Sequence, residues 1–231
     1  MRIGLICDSL TEGRPGVSFL HLLQEQYPQM KFVNMGKPGE SVKSLQRRLA
    51  KTKLENFDLI FLWIGVNDVY SKLLSVQAQP IAKDHEEFRD YYQKVLECVS
   101  SSSKSVITVT PAIVGENMNN VPNKELKQLN TLITSITNKY GNATTLNLHS
   151  VFEQHLSTVN SSDYISTKVL RVMKDVLFYK KPSRIDKLSK KRGLHLTLDG
   201  IHLNSIGAQI VVDEYAKMID QHQSTHKNAI Q

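Results

Sequence analysis

Short apolar runs alternating with longer amphipathic stretches constrain this chain more than any other feature. The runs Arg2–Cys7, Lys31–Asn34, Leu59–Ile64, Ser105–Thr110 and Thr145–Leu148 have the length and composition of strands covered on both faces. Between them, Val17–Tyr27, Val42–Ala50, Glu86–Val99 and Lys124–Lys139 place apolar residues at helical spacing, as Phe88, Tyr91, Tyr92, Val95, Leu96 and Val99 do in the third of these. A strand, helix, strand rhythm requires crossovers, so the expected class is α/β with a parallel sheet. A chain of 231 residues, 40% of them hydrophobic, supplies one core, and residues 1–231 are read as a single domain.

A last helix is expected from Asn204 or Ser205 through Ile206, Ile210, Val211, Tyr215 and Met218, followed by a polar tail at 221–231 that frays. Between the fifth strand and that helix lie roughly fifty residues, far more than a connecting loop takes. A helical and basic insertion is therefore expected at about 150–195, with Tyr164–Tyr179 helical and packed over one end of the domain. Cys7 and Cys98 form no disulfide framework or CxxC pattern, and the polar Asp8-Ser9 follows too soon after Met1 for a signal-peptide core. With no apolar run near the ~20 residues of a membrane span, a soluble, cytoplasmic protein is expected.

Ligands of an open parallel sheet bind beyond the carboxyl ends of its strands, near the point where strand order reverses. Three loops fall there: Cys7-Asp8-Ser9 after the first strand, Gly36-Lys37-Pro38-Gly39-Glu40-Ser41 after the second and Gly65-Val66-Asn67-Asp68 after the third. An order of 2-1-3-4-5 makes them neighbours. A fourth segment, Thr197-Leu198-Asp199-Gly200-Ile201-His202, precedes the last helix. Its carboxylate and imidazole stand three residues apart across a glycine, so one turn can bring Asp199 to one ring nitrogen while the other faces the cleft.

Those four segments, in that order and each at the end of an expected strand, resemble the sequence blocks of the SGNH (GDSL-type) hydrolases, a superfamily of esterases, lipases and thioesterases. The resemblance runs from Ile3 to the last helix. It implies a flavodoxin-like three-layer αβα sandwich with a five-stranded parallel sheet of order 2-1-3-4-5, and ester hydrolysis through an acyl-enzyme. Carried over residue by residue, it makes Ser9 the nucleophile, His202 its general base and Asp199 the carboxylate that orients the imidazole. The oxyanion would be met by the backbone N–H groups of Ser9 and Gly39 and the side-chain amide of Asn67. Gly39 is preferred over Gly36 because the family's donor precedes an acidic residue and a Ser or Thr, here Glu40-Ser41. Asp8 and Asp68 would support the site without reacting. The resemblance implies no metal and no organic cofactor.

Cys7 stands where the family carries a glycine, two residues before the nucleophile; it is small enough for the end of a buried strand, and the loop is expected to survive. Taken singly, each segment could be a capped turn, and His195 is the one competitor for the base, without a carboxylate at matching spacing. Val69–Ala82 and Pro111–Val114 are candidate walls of an acyl pocket, and Tyr164–Tyr179 a candidate lid. Hydrolysis of O-acetylated carbohydrate or of thioesters is the sibling reading; a flavin-binding or nucleic-acid-binding α/β module is the reading from another class, without a nucleic-acid motif to support it. The expected partners are a small-molecule, lipid or glycan acyl ester. Between Lys180 and Arg192, seven basic residues and one acid carry +6 of the formal +7, a segment that can be a solvated loop or can attract an anionic substrate or surface.

Overall fold

The computed structural model describes residues 1–74, 80–167, 175 and 177–228. Its strands are β1 (Arg2–Ile6), β2 (Lys31–Asn34), β3 (Phe57–Trp63), β4 (Ser103–Val109) and β5 (Ala143–Leu146). They form one parallel sheet in the order β2-β1-β3-β4-β5. The central β3 is an unbroken apolar run because helices cover both its faces: Leu59, Ile60, Phe61, Leu62 and Trp63 are all buried. The outer strands β2 and β5 are four residues long and largely half-exposed, the usual way of blunting a sheet edge.

The crossovers between the parallel strands distribute the helices over the two faces. On one, α3 (Val42–Leu49), α5 (His85–Ser100) and α6 (Val121–Thr137) pack in succession; on the other, α2 (Phe19–Gln26) packs on the final helix, α9 (Ser205–Asn228). An aromatic cluster joins that second layer to the sheet: Phe61 stacks on Tyr215 at 4.0 Å between ring centroids, and Phe19 meets both Tyr215 and Trp63 at 5.3 and 5.8 Å.

The α/β class, the strand order and the three layers are those expected. Three strands sit two residues earlier than their apolar runs suggested, β3 from Phe57, β4 from Ser103 and β5 from Ala143. The reason at β5 is a helix cap: Asn147 accepts the Ser150 N–H and opens α7 (Leu148–Leu156), which takes Leu148 out of the strand. Leu148, Phe152 and Leu156 are buried at helical spacing, a signal the sequence reading passed over. The insertion also holds α8 (Pro182–Lys191), with Pro182 at its first position. Within Tyr164–Tyr179, residues Tyr164–Thr167 are not helical, Asp175, Leu177 and Phe178 are, and 168–174 and 176 lie outside the described residues. The lid expectation falls mostly there. The polar end of the chain continues α9 as a helix as far as Asn228. No helix among the described residues is long and apolar enough to cross a membrane.

Candidate active site

The first loop is set by where β1 stops. Cys7 is buried in the core, with its thiol pushed up by that burial, so the residue replacing the family's glycine packs as a small hydrophobe. Asp8 then caps the short helix α1 (Ser9–Glu12), its Oδ1 accepting the Leu10 N–H at 3.0 Å. Ser9 is the first residue of that helix, and its Oγ lies 2.9 Å from Nε2 of His202. On the other side of the ring, His202 Nδ1 is 2.8 Å from Asp199 Oδ2. Asp199 Oδ1 accepts the backbone N–H groups of Ile201 and His202 at 3.1 and 2.9 Å, which folds the Asp199–His202 turn around its own carboxylate. With Nδ1–H donated to Asp199, Nε2 keeps its lone pair for the Ser9 hydroxyl.

Burial alone would lift the Asp199 carboxyl, but the His202 charge and three hydrogen bonds hold it below the usual carboxylate range. Burial likewise opposes an imidazolium at His202, yet Asp199 more than offsets it, so the imidazole is raised above its ordinary value. The two shifts describe one arrangement, a carboxylate that favours a proton on its histidine.

The second and third loops meet at Asn67. Lys37–Glu40 is a turn closed by the Glu40 N–H on the Lys37 carbonyl at 3.1 Å, with Pro38 at its second position and Gly39 at φ 73° in its third. That pattern is a type II turn, which needs a glycine there. Gly36 serves a different purpose: a Cβ would come within 2.8 Å of the Asp8 carbonyl oxygen. Glu40, buried, takes a two-pronged grip from Arg48, Nε at 2.8 Å and Nη2 at 2.6 Å, and Arg48 Nη2 also donates to the Met35 carbonyl at 3.0 Å. Asn67, in the first turn of α4 (Val66–Leu74), donates from Nδ2 to Asp8 Oδ2 at 2.7 Å and to the Glu40 carbonyl at 3.2 Å. Asp68 Oδ2 accepts the Val42 N–H at 2.9 Å, tying α4 to the start of α3. Burial raises the carboxyls of Asp8 to about 6 and of Asp68 to about 7.

Several residues that position this site escaped the sequence reading. Glu116, buried, accepts the backbone N–H groups of His195, Leu196 and Thr197 and the Thr197 hydroxyl, all at 2.7–2.8 Å. It organises the approach to Asp199 from 80 residues away in sequence, and no local pattern announces it. Residues Ser162–Ser166 run across the Asp199 turn: the Ser166 N–H donates to the Asp199 carbonyl at 2.8 Å, and a Cβ on Gly200 (φ 94°) would meet the Tyr164 carbonyl oxygen at 2.7 Å. Tyr70 donates its hydroxyl to the Ser166 carbonyl. Arg192 binds Asp175 through Nη1 and Nη2, and its Nη1 also donates to the Leu198 carbonyl at 2.8 Å.

Other expectations change. Pro111, Ala112, Ile113 and Val114 are buried, and Val114 hands its N–H to Asn123, so they form core and not a pocket wall. Of the Val69–Ala82 wall, Val69 and Ala82 are core residues, Tyr70 reaches Ser166, and the side chains of 73–79 lie outside the described residues. His195 is no competitor for the base: its Nε2 pairs with the Asn160 carbonyl at 2.9 Å. Arg192 leaves the basic run for the ion pair with Asp175, and Asp186 turns inward to the Ser205 N–H and hydroxyl at the start of α9. A cleft of about 540 Å³ opens beside the site, between Glu12–Ser18 with the start of α2 and the segment carrying Leu177, Tyr179, Lys180 and Pro182. Its Gly16 lies against His202 and Leu203. Among the described residues no group of His, Cys, Asp or Glu has the arrangement of a metal site.

A family model described as GDSL-like Lipase/Acylhydrolase matches residues 3–215. The chain belongs to the GDSL-like lipase/acylhydrolase family. This GDSL hydrolase is a carboxylic ester hydrolase, and family membership favours that reading over a flavin-binding module. Solved structures share its fold. The acetyl xylan esterase AlAXEase superposes with a TM-score of 0.65 at 20% identity, covering 95% of this chain and 100% of that one. LAE5, an alpha/beta hydrolase enzyme from the metagenome of Lake Arreo, Spain, gives 0.64 at 18%, covering 93% and 92%. Axe2, an acetylxylan esterase from Geobacillus stearothermophilus, gives 0.63 at 16%, covering 94% and 92%. No curated protein sequence matches the chain.

Proposed function

We propose that this hydrolase cleaves carboxylic esters with Ser9 as nucleophile, His202 as general base and then general acid, and Asp199 as the group that orients the imidazole. The observation that carries the reading is the unbroken line from Ser9 Oγ to His202 Nε2 at 2.9 Å and from His202 Nδ1 to Asp199 Oδ2 at 2.8 Å. His202 takes the Ser9 proton as Oγ attacks the ester carbonyl carbon, and returns it to the departing alkoxide. The acyl-enzyme that remains is then opened by a water molecule deprotonated by the same imidazole, which releases the acid and restores Ser9.

Negative charge builds on the carbonyl oxygen in both steps. The Ser9 and Gly39 N–H groups and the Asn67 amide are the donors proposed for it. Asn67 is held by Asp8 at 2.7 Å, and its longer contact, 3.2 Å to the Glu40 carbonyl, is the one an oxyanion would replace. A donor of this kind contributes ~2.7–4 kcal/mol. Asp8 and Asp68 hold loops and take no part in the chemistry.

Hydrolysis of O-acetylated carbohydrate is a second reading, favoured by the acetyl xylan esterases of the same fold; the same residues would perform it, as they would on a thioester. The free thiols of Cys7 and Cys98 fit the reducing, cytoplasmic setting inferred from sequence. The test is hydrolysis of p-nitrophenyl esters of increasing chain length and of acetylated xylan by wild type and Ser9→Ala, alongside a fluorophosphonate that labels the nucleophile. Ser9→Ala is expected to lose turnover by at least about a thousandfold, with the fold intact and labelling abolished. Undiminished turnover in Ser9→Ala would refute the assignment.

A further inference from the structure

The basic segment acquires a shape in the structure that its charge count did not convey. Six cations, Lys180, Lys181, Arg184, Lys187, Lys190 and Lys191, are exposed. None pairs with a described carboxylate, and 168–174 and 176 contain no acidic residue. The two acids between 168 and 192, Asp175 and Asp186, both face inward, to Arg192 and to Ser205. Ile185 and Ser189 anchor α8 to the protein. At 100° per residue, Arg184, Lys187 and Lys191 then share the opposite, outer face.

Immediately before this helix stand Leu177 and Phe178, 62% and 66% exposed, two consecutive large apolar side chains open to water. Leu177 is four residues from Lys181, so the apolar pair and the first cations lie within ~14 Å along the chain. Leu177, Tyr179, Lys180 and Pro182 also form one side of the cleft beside His202. Exposed apolar groups adjoining an unpaired cationic helix face are what an anionic bilayer surface accepts, the former entering the headgroup boundary and the latter resting at the phosphates. A single-stranded nucleic acid would instead use aromatic platforms interleaved with the cations, whereas here the aromatics Phe178 and Tyr179 precede the cations and none stands among them from Lys180 to Arg192.

We propose that Leu177–Lys191 is a docking surface for membranes rich in anionic phospholipid, placing the cleft it shares with Glu12–Ser18 at the bilayer. The surface argument stands apart from the hydrolytic reading, and its test reads binding, not turnover. The full chain is sedimented with vesicles of phosphatidylcholine, with and without phosphatidylglycerol, over a range of salt. Binding is expected only with phosphatidylglycerol and is expected to weaken as salt rises. Arg184→Glu with Lys187→Glu and Lys191→Glu should lower partitioning by at least about a hundredfold, while p-nitrophenyl acetate hydrolysis and the melting temperature stay at wild-type values. Phe178→Ser, which leaves the charge unchanged, should weaken binding several-fold. Absence of binding to the anionic vesicles, equal binding to neutral ones, or indifference to either variant overturns the proposal. Tight binding of labelled RNA that Phe178→Ser weakens, without binding to the anionic vesicles, would overturn it in favour of nucleic acid. Vesicle binding by a protein with no esterase activity would leave the docking surface standing and refute the proposed hydrolysis.

Discussion

At the scale of single residues, the protonation of His202 sets the working range of the proposed mechanism. Only the neutral imidazole can accept the Ser9 proton, and Asp199 shifts the ring toward its charged form against the pull of burial. Activity should therefore fall as pH drops, with the ascending limb of kcat/KM centred above the ordinary histidine value of about 6.5. Removing Asp199's charge in Asp199→Asn should move that limb down and cut kcat by about ten-thousandfold. Measuring kcat/KM on p-nitrophenyl acetate from pH 5 to 9 decides it, since a limb below 6.5 in wild type contradicts the assignment. Folding carries the opposite sign. A raised histidine contributes its stability below its unfolded value and loses it as pH rises through the folded one, so the enzyme reaches full activity where this histidine adds least to stability. Ser9, His202 and Asp199 were legible in sequence because a local pattern surrounds each. Glu116 was not, because its four donors come from residues 195–197 and nothing near position 116 marks the partnership.

At the scale of elements, the site hangs on loops whose shapes are imposed by buried polar groups. Glu116 fixes the bend that leads to Asp199, Ser162–Ser166 lies across the turn itself, and the Arg48–Glu40 pair braces the loop that carries Gly39. Glu116→Ala would leave three backbone N–H groups without an acceptor in a buried setting, at a cost of about 3–5 kcal/mol. A chain of this size then melts roughly 6–20 °C lower. Glu116→Gln, which keeps an acceptor, should recover much of that loss. Calorimetry of the two variants checks the prediction, and a melting temperature unchanged in Glu116→Ala refutes it. The strands, α2, α3, α5 and α6 were readable because their apolar periodicity is strong. The boundary at β5 was missed because the run Thr145–Leu148 continues past Asn147, where the capping side chain switches the backbone to helix. Pro111–Val114 misled for a related reason: an apolar segment after a strand can line a cavity or fill the core, and only packing distinguishes the two.

At the scale of the whole molecule, one aromatic cluster couples the C-terminal helix to the sheet. Tyr215 on α9 stacks on Phe61 of β3, and the loop holding Asp199 and His202 leads directly into α9. Phe61→Ala should cost about 3–5 kcal/mol through lost burial and the cavity left behind. Measured by denaturant unfolding, the loss should appear in the midpoint while the folded enzyme retains its kcat, because Phe61 touches no reacting group. By itself, the sequence determined the class of the fold, the strand order through its family blocks, and the residues of the proposed chemistry, since each rests on local periodicity or on a short motif. Only the tertiary structure decided which distant groups hold those residues in place and which cations face outward. Those depend on partners that meet only when the chain folds: Glu116 on residues 195–197, Asp175 on Arg192, Asp186 on Ser205. A buried charge is satisfied by whatever donor the packing delivers, and its position along the chain does not reveal which one that is.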